Sequence, residues 1–182
     1  KKYTALALTG ALKAQGAAAT FRATGQTGVM IAGEGVAIDA VISDFVAGAA
    51  EALSPDNQPD HWDVIEGQGA LFHPAYAGVT LGLLHGSQPD ALVLCHDPSR
   101  DTIEGYPDFP IPELGHAVER YVQAARLTNR AARCVGISIN SSSLNDADWA
   151  RYADTLARQL KLPVVDPMRT GVAAIATALL AA

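Results

Sequence analysis

The sequence predicts an α/β fold, a doubly wound and mostly parallel sheet with helices on both faces. Three observations carry this expectation. Strand-like and helix-like segments alternate along the whole chain. The runs at 91–95 and 134–139 are continuously apolar, as strands buried on both faces are. Between such runs, apolar residues recur at helical spacing, most clearly Leu114, Ala117, Val118, Tyr121, Ala124 and Ala125.

Taken in order, residues 2–15 read as a helix closed by Gly16, and 18–23 as a strand. Ile38, Val41, Ile42, Phe45, Ala49 and Leu53 share one stripe of a helix over about 36–53, which Ser54-Pro55-Asp56-Asn57 ends. Trp62–Ile65 is a short strand and 74–86 a helix despite its two glycines. After the strand at 91–95 comes a long loop from His96 to about Pro112, rich in Pro, Gly and Asp; loops of that length are usually functional or mobile. Asn145, with Asp148 three residues on, caps a helix over 146–160. Pro163–Val165 is the last strand and 170–181 the last helix. No repeat or linker interrupts the pattern, so 1–182 reads as a single domain.

A chain of 182 residues, 49% hydrophobic and 18% charged, supports a sizeable core. A formal charge of −6 with no basic run argues against nucleic acid and acidic membrane surfaces as partners. No apolar stretch has the roughly 18 residues of a membrane helix. Cys95 and Cys134 each lie in an apolar run without a CxxC partner, which suits reduced, inert thiols in the cytoplasm better than a disulfide or a metal site.

In a doubly wound sheet ligands sit beyond the carboxyl ends of the strands, so the residues after each strand carry the chemistry. The first visible strand ends in Arg22 and the loop Ala23–Gly28, where Gln26 stands between two glycines and Arg22 suits a carboxylate or phosphate. The second ends in Glu66-Gly67-Gln68-Gly69, followed by His73-Pro74; a carboxylate flanked by glycines there suits either magnesium held through water or general-base work. The third ends in His96-Asp97-Pro98-Ser99-Arg100, a set suited to proton transfer and to an acidic substrate. The fourth ends in Asn140, whose amide can read the edge of a nucleotide base.

Ahead of the first helix stand Lys1, Lys2 and Thr4, the pattern of the back half of a phosphate-binding loop without its glycine-rich front half. Lysine at a helix start opposes the helix dipole, which invites an anion instead. The expectation is that an upstream strand and loop belong before Lys1. An ordinary basic first turn of a surface helix is the plain alternative. Neither the Gly-x-Ser-x-Gly elbow nor the Gly-x-Gly-x-x-Gly fingerprint occurs.

With these residues placed, the chain resembles the carboxyl-terminal P-loop-like domain of the D-glutamate N-acetyltransferase (DgcN) family over essentially its whole length. The marks are Phe21–Gly28, Asp63–Gly69 with His73-Pro74, Leu94-Cys95-His96, Gly105-Tyr106-Pro107, and Val164–Pro167 with Arg169-Thr170-Gly171. The resemblance implies a P-loop NTPase-like fold, a missing first strand and glycine-rich loop, and a further upstream domain of Rossmann type.

It also implies acetyl transfer from acetyl-CoA to the amine of a small acidic amino acid, D-glutamate. Glu66, His73 and His96 are then the candidate catalytic residues, Arg22, Gln26, Arg100 and Tyr106 the substrate-binding ones, and Lys1, Lys2 and Thr4 the phosphate site. Backbone N–H groups around Gly67 and Gly69 would serve the oxyanion. A wider similarity to dethiobiotin synthetase keeps open an Mg-ATP-dependent ligase or kinase, with Asn140 near the adenine, though Tyr3 stands where a hydroxyl residue is expected. A non-catalytic nucleotide-binding module is the third reading. The expected setting is a cytoplasmic homo-oligomer with no resident metal.

Overall fold

The computed structural model describes residues 1–181. Helix α1 (Lys2–Ala14) leads into β1 (Ala18–Arg22), α2 (Gln26–Ala32), α3 (Val46–Leu53), β2 (His61–Ile65), α4 (Ala77–Ser87) and β3 (Ala91–His96). A small hairpin of β4 (Thr102–Ile103) and β5 (Tyr106–Pro110) follows, then α5 (Leu114–Ala125), β6 (Arg133–Ile139), α6 (Asp146–Leu160), β7 (Val164–Val165) and α7 (Ala173–Leu180). The chain is an α/β fold with parallel sheets and helices on both faces.

The parallel strands fall into two groups, β1-β2 and β3-β6-β7, with the β4-β5 hairpin apart. Helices α1 and α7 cover one face, where Leu8, Leu12, Ile175 and Leu179 pack with Ala19, Val135 and Val165. Helices α5 and α6 cover the other, where Trp149, Leu156, Leu114 and Val118 meet Ile137 and Ile139. The β3-β6 pairing carries a bulge in β6 opposite Leu92 and Val93. It turns both Val135 and Gly136 toward α7, and a Cβ at Gly136 would stand 2.6 Å from Ile175 Cδ1.

Both strand groups run in the same direction, as the first turn of α1 shows. The Lys1 ammonium donates to the Gly69 carbonyl just beyond the carboxyl end of β2. Thr4 Oγ1 bonds Ser138 Oγ near the end of β6 at 2.9 Å, and Cys95 Sγ lies 3.7 Å from the same hydroxyl. All these ends therefore gather at one edge. Between β2 and β3 no described strand intervenes, and the two edges line a cleft of about 1500 Å3.

Three elements differ from the sequence expectation. The helix expected over 36–53 is helical only from Val46; before it the chain makes two short 3-10 turns, Ile38–Ala40 and Ser43–Phe45. Its apolar stripe is divided accordingly: Ile38 and Val46 are buried, whereas Ile42 and Phe45 are exposed. The segment expected as an open loop after β1 becomes α2, because Gly25 takes an extended N-cap conformation and the chain winds from Gln26. The long loop after β3 contains the β4-β5 hairpin, turned at Gly105 with φ +80°. By contrast, α6 begins where its cap places it, with Asn145 Oδ1 accepting from the Asp148 N–H at 2.9 Å.

Candidate functional site

The cleft opens at the carboxyl ends of the strands, and its rim there is built from Lys1, Glu66–Ala70, His73, His96, Asp97, Arg100, Tyr106, Asn140 and Asp166. Each group arrives by the route the fold prescribes. Glu66 follows β2, His96 closes β3, Asn140 follows β6 and Asp166 follows β7. No helix among the described residues is long and apolar enough to cross a membrane.

Glu66 is buried, and its Oε2 accepts the N–H groups of Thr24 and Gly25 at 3.2 Å each. Its backbone is fixed as well, by the Thr24 hydroxyl on its carbonyl at 2.7 Å and by its own N–H on the Arg22 carbonyl at 3.0 Å. The carboxylate thus caps the entry to α2, where negative charge is stabilised. Gly28 faces it so closely that a Cβ there would overlap Oε2. Beyond Glu66, the N–H groups of Gly67, Gln68 and Gly69 meet no acceptor among the described residues while lining the cleft. Gly69 holds φ +63°, a left-handed conformation that favours glycine.

His96 is half-buried, lines the cleft, and neither ring nitrogen has a hydrogen-bond partner among the described residues. Burial pushes its pKa below the ordinary histidine value, an effect opposed by the neighbouring Asp97 charge. Asp97 is itself fixed: its carboxylate accepts from the Ser99 hydroxyl and N–H at 2.6 and 3.0 Å and from Asn140 Nδ2 at 3.0 Å. These bonds, led by the Ser99 hydroxyl, hold its pKa below the usual carboxylate range. Asn140 therefore braces Asp97, and its Oδ1 accepts from the Ser142 N–H at 3.4 Å.

The cations that line the cleft are Lys1 and Arg100. Burial of the Lys1 ammonium lowers its pKa, opposed by the nearby Glu66 carboxylate. Arg100 reaches Glu104 at 2.8 Å and Asp97 at 3.8 Å. Glu104 is exposed, and an exposed pair of this kind is worth about 0–1 kcal/mol, so a substrate carboxylate can displace it. His73 belongs to an aromatic wall: its ring lies 4.5 Å from Tyr76 and 5.2 Å from Tyr106, which stands 5.9 Å from Phe109. Its Nδ1 accepts from the Ala75 N–H at 3.1 Å.

Four expected residues sit elsewhere or are engaged differently. Arg22 is tied to Asp63 at 2.7 Å on the outer strand pair and does not line the cleft. Gln26 donates to Asp39 at 3.0 Å on the surface of α2. Lys2 lies outside the cleft lining, and the Thr4 hydroxyl is buried against Ser138. For a magnesium-bound nucleotide the donors present do not fit. The hydroxyl and the carboxylate expected at the metal are both held by protein groups.

Sequence reasoning singled out no role for Asp166, which organises the end of β7. Its carboxylate accepts from the Ser141 N–H at 3.0 Å and the Ser141 hydroxyl, and from the Met168 N–H at 2.7 Å. Burial alone would raise its pKa, yet these bonds outweigh burial and lower it. The signal was present as an acidic residue after a strand, followed by Pro167 and Gly171.

The carboxyl-terminal P-loop domain of the family described as domain of unknown function 1611 (DUF1611_C) matches residues 1–176. A protein of Tritonibacter scottomollicae named D-glutamate N-acetyltransferase is 48% identical over 181 residues, covering all of this chain and 54% of that protein. A protein of the same name from a Pseudoalteromonas species is 51% identical over 175 residues, covering 96% of this chain and 53% of the relative. The crystal structure of a DUF1611 family protein from Anabaena variabilis matches with a TM-score of 0.93 at 35% identity, over all of this chain and 53% of that one. The chain thus spans about half the length of the curated relatives it matches. On the fold, the strand-edge cleft and the match over residues 1–176, the chain belongs to the DUF1611 family as its carboxyl-terminal P-loop domain.

Proposed function

We propose that this domain forms the acyl-transfer cleft of an N-acetyltransferase acting on D-glutamate with acetyl-CoA as donor. The relatives' names support the reaction, and one observation in the cleft supports the assignment of its base: the His96 ring lines the cleft without a hydrogen-bond partner among the described residues, and burial lowers its pKa, which favours the neutral imidazole. The substrate's ammonium must lose one proton to solvent before its nitrogen can attack a thioester, and the attacking nitrogen then sheds a second proton, which a neutral imidazole in reach can accept.

In this reading the amine nitrogen attacks the thioester carbonyl carbon, a C–N bond forms, and His96 takes the amine proton. The oxyanion is stabilised by the free N–H groups of Gly67, Gln68 and Gly69, with the Lys1 charge beside them. Collapse breaks the C–S bond, and the leaving thiolate receives the proton from His96, which returns neutral. Arg100 pairs with a substrate carboxylate after releasing Glu104. Tyr106 and Tyr76 give the cleft an apolar rim against which the donor's chain can lie. Glu66 keeps its place as the capping anion of α2 and shapes the loop that carries the oxyanion donors.

The test is release of free CoA thiol by the chain extended upstream to the length of its relatives. D-glutamate should support release, and neutral D-amino acids should fail to. Absence of D-glutamate-dependent release, or release that requires ATP, overturns the reading.

A further inference from the structure

Asp166 is only 3% exposed, and no ion pair holds it among the described residues. Arg169, three residues on, turns its guanidinium instead to the Leu144 carbonyl at 2.6 Å and to Asp146 at 3.2 Å. A carboxylate taken out of water is costly unless hydrogen bonds replace the solvent. Here each oxygen has two donors, and the two oxygens serve different parts of the chain. Oδ1 accepts from the Met168 and Arg169 N–H groups at 2.7 and 3.3 Å, which shapes the turn after β7. Oδ2 accepts from the N–H of Ser141 at 3.0 Å and from its hydroxyl, 25 residues earlier in the chain. Since β6 and β7 pair with Ser138 opposite Val165, these crossing bonds tie the carboxyl ends of two neighbouring strands together.

The turn needs only the local pair of bonds; the crossing pair acts on Asn140. The Ser141 N–H belongs to the peptide that follows Asn140, and the Asn140 N–H, in the peptide before it, donates to the His96 carbonyl at 2.9 Å. With both flanking peptides held, the φ and ψ of Asn140 are set, and with them the direction of its side chain. Asn140 is exposed, and an exposed side chain on a loose backbone samples several rotamers. On this fixed backbone its Nδ2 donates to Asp97 Oδ2 at 3.0 Å, and its Oδ1 accepts from the Ser142 N–H at 3.4 Å. Asp97 is the carboxylate whose charge acts on His96.

We propose that Asp166 is a positioning residue for the candidate base: through Ser141 and Asn140 it holds the Asp97 carboxylate at the His96 imidazole. Its meaning for catalysis rests on the reading of His96 as the base, whereas the relay is a property of the fold. An imidazole that takes a proton becomes a cation, and a carboxylate held beside it stabilises that cation. The other titratable groups at this edge of the cleft are Lys1 of α1, Glu66 after β2, His73 ahead of α4, and Arg100 and Tyr106 around the hairpin. An Asp97→Asn background separates their influence from that of the relay.

NMR titration of the His96 ring protons tests the relay in the chain extended to the length of its relatives, with His96→Gln identifying the resonance. Ser141→Ala removes one donor from Oδ2 and keeps the main-chain one. Asp166→Asn is more severe, since it sets an amide N–H against the donors on one side of the group. The His96 midpoint should fall in both variants by up to about one pH unit, further in Asp166→Asn, because Asp97 is no longer held beside the ring. With Asp97→Asn already in place, neither substitution should move it. In the enzyme assay kcat should fall while KM for acetyl-CoA stays unchanged. A His96 midpoint that stays in place in folded Ser141→Ala overturns the proposal, and so does a shift that persists in the Asp97→Asn background. The titration needs no turnover, so failure of the acetyl-transfer reading would show separately, as absence of D-glutamate-dependent CoA release in the parent.

Discussion

Thr4 and Ser138, 134 residues apart, share a buried hydrogen bond of 2.9 Å that fastens the first turn of α1 to the end of β6. The hydroxyl expected to face a phosphate faces the sheet. Thr4→Val keeps the shape but leaves the Ser138 hydroxyl without that partner, and should destabilise the domain by about 1–2 kcal/mol in urea unfolding. Thr4→Ser should recover most of the loss. A Thr4→Val variant as stable as the parent would show that the bond contributes nothing.

Gly28 and Glu66 form the second tight relationship. Gly28→Ala must push the Glu66 carboxylate off the Thr24 and Gly25 N–H groups, because the new Cβ would overlap Oε2. The expected cost is about 1–3 kcal/mol of stability, from overpacking and lost charged hydrogen bonds. If Glu66 shapes the Gly67–Gly69 loop, turnover should fall as well. Full stability and turnover in Gly28→Ala would remove Glu66 from the account.

Much of this was legible from residue order. Amphipathic spacing placed α5, the Asn145 cap placed the start of α6, and the strand-end rule led to Glu66, His96 and Asn140. The partners of those residues were not legible, since they come from distant chain. Arg22 looks like a free clamp in sequence, and only the β1-β2 register brings Asp63 beside it. The stripe over 36–53 satisfied helical spacing, yet tertiary packing buried Ile38 and Val46 and left Ile42 and Phe45 outside. Glycines near Glu66 were read as loop formers, whereas Gly28 lies within a helix where it admits a carboxylate.

The pH dependence of turnover follows from His96. Its pKa in the folded protein lies below 6.5, so the base is active at neutral pH and is lost as pH falls through that lowered value. The acid limb of kcat/KM should therefore have its midpoint below pH 6.5. Asp97 raises the His96 pKa, so Asp97→Asn should move the limb to still lower pH. A limb that stays in place in Asp97→Asn would mean that another group titrates.

The assignment of His96 as the base meets its most direct test in the rates of two variants of the chain extended to its relatives' length. His96→Gln should lower kcat for D-glutamate acetylation by about 10²–10⁴-fold, with the acid limb abolished and binding of acetyl-CoA retained. Glu66→Gln, which keeps an oxygen for the Thr24 and Gly25 N–H groups, should retain the limb at a reduced rate. Near-normal turnover in His96→Gln, together with loss of both rate and limb in Glu66→Gln, would contradict the account and make Glu66 the base.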